Sequence, residues 1–288
     1  MRIFAQKKFN LMQMKHYPIP VLVAVLCLLT SCAEDIDKAA SRYLDAAASA
    51  LSDGQFAEAK RCIDSIKVVY PKAFETRKAG IALMRRVEMA EATQTLAYTD
   101  SLLALCRACI DEMVPQFLYE KDARYEEVGR FLGPSQRLED NIGRNYLRAS
   151  VDETGRMTLA SLYRGTSYIN HNAIRVSAAG TWAETPMAAT PYQSSDATAK
   201  TERCDFVLGD DGGVIAFIAL HAGESVKVEY LGGTSYSTTL TRSDTRAIAN
   251  VYALAQQLQE AARLSAIADE ASRKISFLEN KEANADDC

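Results

Sequence analysis

An α+β chain is predicted, with a small antiparallel β module inserted between long helices. Three features predict it. Apolar residues follow a three-four spacing from Leu96 to Phe117, the period turns to alternation after Gly133-Pro134, and helical spacing returns from Ser243. The composition permits this architecture: 288 residues, 48% hydrophobic and 24% charged, lie in the globular range.

Residues 1–18 carry Arg2, Lys7, Lys8 and Lys15, and an apolar run over 19–29 follows, closed by Thr30 and Ser31. Charge followed by a hydrophobic stretch and small residues is the order of a secretory signal, here 1–31. The apolar run is shorter than the ~20 residues a helix needs to span a bilayer, so a permanent span is the weaker reading. Met12 and Met14 offer alternative starts to Met1.

Leu29-Thr30-Ser31-Cys32 resembles the lipobox of bacterial lipoproteins. The resemblance implies lipidation of Cys32 by diacylation, cleavage before it, and acylation of the new amino terminus. Two or more acyl chains anchor stably, each buried methylene contributing ~0.8 kcal/mol. Ala33-Glu34-Asp35 and Asp37 are similar to the acidic export signal of surface lipoproteins in Bacteroidota-type envelopes. That likeness implies outer-membrane placement, with the cell-surface face favoured over the periplasmic face.

Cleavage leaves 33 − 4 = 29 bases against 37 acids, a charge of −8. An acidic balance argues against nucleic acid as a partner, because phosphate-backbone binding needs clustered Lys and Arg. Cysteines stand at 27, 32, 62, 106, 109, 204 and 288. Beyond Cys27 and Cys32 the remainder is odd and sparse, which fits free thiols rather than a disulfide framework.

Over 32–71 the order Gly54, Phe56, Ala59, Ile63, Ile66, Pro71 resembles the second-helix half of a tetratricopeptide repeat. Gly54 turns the chain, Ala59 allows close approach and Pro71 stops the helix. The first-helix half, residues 43–51, lacks the usual Trp and Gly pattern, so a single helical pair is expected. A long coiled-coil helix is expected over 72–130. Its seam is Leu96, Leu103, Cys106, Ile110, Met113 and Phe117, with Thr99 filling one slot. Pro115 should kink or end it. Unbroken to residue 125, it would be on the order of 80 Å long.

The β module is expected over 141–242, as a small antiparallel sandwich or barrel. Candidate strands are 145–151, 157–163, 173–178, 205–208, 214–220, 226–231 and 236–241, separated by turns such as Asp210-Asp211-Gly212-Gly213. The polar stretch 180–203 contains Trp182 and Tyr192, the candidate binding loop; the other use for Trp182 is to cover the sheet's open edge. Gly165-Thr166-Ser167-Tyr168 recurs as 233–236, which reads as coincident hairpin chemistry first and as an internal duplication second. A return helix over 243–281, capped by Ser243 or Asp244, presents an alanine-rich stripe expected to pack on the long helix.

No motif for chemistry is legible. Cys106-Arg107-Ala108-Cys109 lies inside a helix rather than at its start, and no second pair is present to bind zinc. His171 and His221 belong to no assignable triad, and Asp210-Asp211 with Glu224 reads first as turn formers rather than a calcium or acid pair. The expected catalytic set, cofactor and metal are therefore none. The layout resembles uncharacterised outer-membrane lipoproteins of Bacteroidota, a family whose name carries location rather than activity. The expected function is a non-catalytic interaction, scaffold or ligand-binding lipoprotein that presents the β module on a helical stalk. Its expected partners are the membrane, through Cys32, and a protein or envelope polymer. The alternative is an envelope hydrolase acting on polysaccharide or peptide, whose carboxylates converge only in the fold.

Overall fold

In the computed structural model the backbone is described for residues 19–189 and 191–286, and side chains for 36–189 and 191–283. The start of the expected signal and the side chain of Cys32 lie outside the described residues. The chain is α+β, with five α-helices and two antiparallel sheets among the described residues. It divides into two units: residues 1–94 with 272–288, and residues 95–271.

The first unit contains α1 (Ile19–Ser52), α2 (Phe56–Val69), the start of α3 (Phe74–Met113) and the end of α5 (Arg242–Asp286). Gly54 takes φ +70°, a conformation only glycine adopts freely, and Gln55 N–H reaches back to Ala50 O at 2.8 Å. The turn folds α2 onto α1, where Ala47, Ala50 and Ala59 allow close approach and pack with Cys62, Ile63, Leu83 and Val87. A second cluster joins Ala40, Ile66 and Ala73, flanked by Ile36, Tyr43 and Tyr70.

The second unit carries the sheets. One has six strands in the order β1 (Leu118–Glu120), β2 (Arg130–Leu132), β3 (Tyr146–Asp152), β4 (Met157–Gly165), β8 (Lys200–Val207), β7 (Tyr192–Ser195). The other has four: β10 (Tyr236–Thr239), β9 (Lys227–Leu231), β5 (Ala173–Ala178), β6 (Thr181–Glu184). Alternation sends Leu147, Ala149, Val151, Leu159 and Phe206 from the first sheet, and Ile174, Val176, Val228 and Tyr230 from the second, into one core. Ile248, Val251, Leu254 and Ala255 of α5 join that core. Leu103 and Cys106 of α3 bury against Leu264 of α5.

Four elements differ from the sequence expectation. The long helix expected over 72–130 ends at Met113, where Pro115 stops it as its ring and missing N–H require, in a 3-10 turn; the segment beyond it is what departs from the expectation. Strands β1 and β2 then occupy part of that segment, so the sheet begins before residue 141.

Residues 214–220, expected as a strand of the alternating segment, form α4 (Val214–Leu220). Gly213, in the left-handed region like Gly212, is the N-cap of this helix, and the buried Asp211 before it accepts the first-turn Ile215 N–H at 2.7 Å. Val214, Ile215 and Ile218 form its inner face.

The stretch 180–203 is not a loop throughout, since it holds β6, β7 and the start of β8. The cap of α5 is Thr241 rather than Ser243 or Asp244. Its Oγ1 accepts Asp244 N–H at 3.1 Å while Asp244 Oδ2 accepts Thr241 N–H at 3.3 Å, a reciprocal capping box.

Candidate functional site

Trp182 and Tyr192 stand apart, on β6 at the edge of the four-stranded sheet and on β7 at the edge of the six-stranded sheet. Both are exposed, and the Arg175 guanidinium lies 5.1 Å from the Trp182 ring centroid. Cys106 is buried with its Sγ 3.2 Å from Gln257 O, whereas Cys109 is exposed; both are free thiols. His221 Nδ1 pairs with Glu224 at 3.0 Å, and Asp211 is committed to the Ile215 amide of α4. Among the described residues no group of three His, Cys, Asp or Glu is placed to hold a metal ion. Among them also, no helix is long and apolar enough to cross a membrane.

One polar set that spacing did not reveal is assembled inside the second unit. Ser161 Oγ lies 2.9 Å from His171 Nε2, and His171 Nδ1 lies 2.8 Å from Glu202 Oε2. The Glu202 carboxylate also accepts the amides of Asn170 at 2.8 Å and His171 at 3.1 Å, and Gln193 Nε2 at 3.0 Å. Burial works to raise its pKa, but the His171 side chain and these amides outweigh it and hold the carboxyl below its ordinary range. The order hydroxyl, imidazole, carboxylate is that of a nucleophile, its base and the group that orients the base.

Access decides what this set does. Ser161 and Glu202 are fully buried and His171 nearly so. Ser161 sits mid-strand, paired with Leu147 on one side and Cys204 on the other, and His171 packs edge-on to Tyr163 and Tyr230. A substrate carbonyl would have to displace this packing to reach Oγ. As it stands the set is a polar pin: Ser161 and Glu202 belong to one sheet, and His171 leads into β5 of the other.

An open site lies in the first unit. A groove of about 460 Å³ runs between α2, α3 and the end of α5, its apolar walls formed by Ile63, Ile66, Ile81, Met84, Phe277 and Leu278. Gly80 keeps the floor low, with Ile63 Cγ2 lying 3.5 Å from where a Cβ would stand. The rim carries Lys67, Arg77, Arg85 and Lys281 against Asp64 and Glu88. Ile81 and Phe277 are exposed, and Lys281 Nζ lies over the Phe277 ring at 4.6 Å. Apolar walls with an excess of positive charge at the rim suit an amphipathic segment whose polar face is acidic.

No protein-family model, curated protein or solved structure matches this chain.

Proposed function

We propose that the chain is a lipoprotein of the bacterial outer membrane, tethered through acyl chains on Cys32, that acts without catalysis as a binding component. In this reading the α1–α2 pair is a single tetratricopeptide-like unit, the two sheets pack as a small sandwich, and the partner is a protein. The observation that carries the binding role is the groove beside α2, because its exposed Ile81 and Phe277 leave apolar surface open to solvent inside a mainly basic rim. The tether rests on the Leu29-Thr30-Ser31-Cys32 signal.

The test is photo-crosslinking in intact envelopes from a reactive residue at Phe277. One discrete protein adduct is expected, lost when Ile81→Glu places a carboxylate in the apolar wall. A smear unaffected by Ile81→Glu would overturn the groove as the binding site. In parallel, Cys32→Ala should abolish fatty-acid incorporation and detergent-phase partitioning; unchanged partitioning would overturn the tether.

A hydrolase is the second reading, favoured only by the chemistry of Ser161, His171 and Glu202. It requires an opening at Tyr163 that admits substrate, and labelling of Ser161 by a fluorophosphonate in the native protein would establish it.

A further inference from the structure

We infer that the corner joining α2 to α3 lies against an anionic lipid surface, with Val68, Val69 and Phe74 entering the headgroup layer. This rests on the acylation proposed for Cys32. The three side chains are 78%, 53% and 70% exposed within seven residues of sequence. A single exposed apolar residue needs no explanation, but three within seven residues about one helix-to-helix turn concentrate apolar surface there. The inward positions of α2 are already filled by Ala59, Cys62, Ile63 and Ile66, so Val68 and Val69 lie beyond the buried stripe.

Charge and position both point to lipid. Residues 67–78 contain Lys67, Lys72, Arg77 and Lys78 against Glu75 alone, whereas the chain as a whole is acidic. Lysine stems can follow an apolar surface inward while their ammonium groups meet anionic headgroups. The corner is fastened to α1 at Asp37: Thr76 N–H and Oγ1–H donate to Asp37 Oδ1 at 3.1 and 2.9 Å, and Ala73 packs in one cluster with Ala40. Cys32 precedes Asp37 by five residues, which span at most about 17 Å even when fully extended. Acyl chains on Cys32 therefore confine this corner to the neighbourhood of the bilayer. Asp37, bonded to Thr76, offsets part of the basic charge, so apolar insertion carries the contact and the cations orient it.

The test uses the acylated full chain in phosphatidylcholine vesicles containing phosphatidylglycerol, with a carbene photoprobe confined to the bilayer and mass-spectrometric mapping. The peptide holding Val68 to Phe74 should be labelled several-fold above the peptide holding Tyr125, an exposed aromatic of the other unit. Val68→Ser/Val69→Ser/Phe74→Ser should remove that label while the chain still sediments with the vesicles. Equal labelling of the two peptides in a vesicle-bound chain would overturn the corner contact and leave the tether standing. Should the chain fail to be acylated at all, the tether falls by itself. The corner is then judged by sedimentation of the unacylated chain: binding to phosphatidylglycerol vesicles that the triple variant abolishes upholds it, and no binding overturns it.

Discussion

The Glu202 carboxylate accepts the Nδ1–H of His171 at 2.8 Å in a place where neither side chain touches solvent. A carboxylate can only accept, so a proton resides on Nδ1, while Nε2 lies within hydrogen-bond distance of the Ser161 hydroxyl, which also reaches Cys204 O at 3.4 Å. One buried charge is thereby satisfied from the side chain and the main chain of the same histidine, and from a neighbouring amide.

Removing one partner should therefore cost more than one hydrogen bond. His171→Ala leaves the carboxylate buried with its amides but without its imidazole, and is expected to destabilise the fold by roughly 3–5 kcal/mol. Urea unfolding measures this. A loss below about 1 kcal/mol would mean that water enters and replaces the ring.

The same carboxylate makes stability depend on acid. Its folded pKa lies below the ordinary value, so its contribution is complete above pH about 4.3 and is lost as pH falls through the lower folded pKa. Denaturant midpoints should thus drop on acidification in that window. Glu202→Gln should flatten the drop, and an unchanged slope in that variant would remove Glu202 as its source.

The thiols should sort by burial. Burial pushes the Cys204 thiol up to about 11, and its Sγ donates to His171 O at 3.2 Å. Cys109 is exposed. Iodoacetamide at about pH 8 should alkylate Cys109 in the native protein and leave Cys204 untouched until unfolding. Peptide mass mapping reads both, and early modification of Cys204 would contradict the packing.

Two glycines should respond oppositely to alanine. At Gly80 a Cβ meets Ile63 and Ile66 at 3.5 and 3.8 Å, ordinary contact inside a helix, so Gly80→Ala should stabilise by about 0.5–1 kcal/mol. At Gly212, φ is +65° and a Cβ would fall 2.1 Å from Glu184 O. Gly212→Ala should therefore cost about 2 kcal/mol or more. Thermal unfolding distinguishes the two signs.

Strands with an inner face were legible, and strands without one were not. Residues 173–178 read correctly because their alternation matches a buried pleat, as did 157–163 within β4. β6 and β7 are four-residue edge strands without a buried residue, which no period distinguishes from loop. The sequence over 214–220 is apolar throughout and fits either element, and the helix is entered through two positive-φ glycines with Asp211 accepting the Ile215 amide. Glu202, Cys204 and Phe206 alternate inward, which marks an inward carboxylate, but Ser161 comes beside it only through the pairing of β4 with β8, and His171 only through the chain's return from β4 toward β5. The groove was hidden for the same reason, since its walls come from residues 63–88 and 277–281.

That separation has a consequence for biogenesis. During synthesis Ile63 and Met84 emerge long before Phe277 and Leu278, and the whole of 95–271 must pass between them. Contacts so distant in sequence form late, after a large loop has closed. The groove is accordingly a finishing joint: a nascent or truncated chain lacking α5 has no second wall, and cannot compete for whatever the finished one holds.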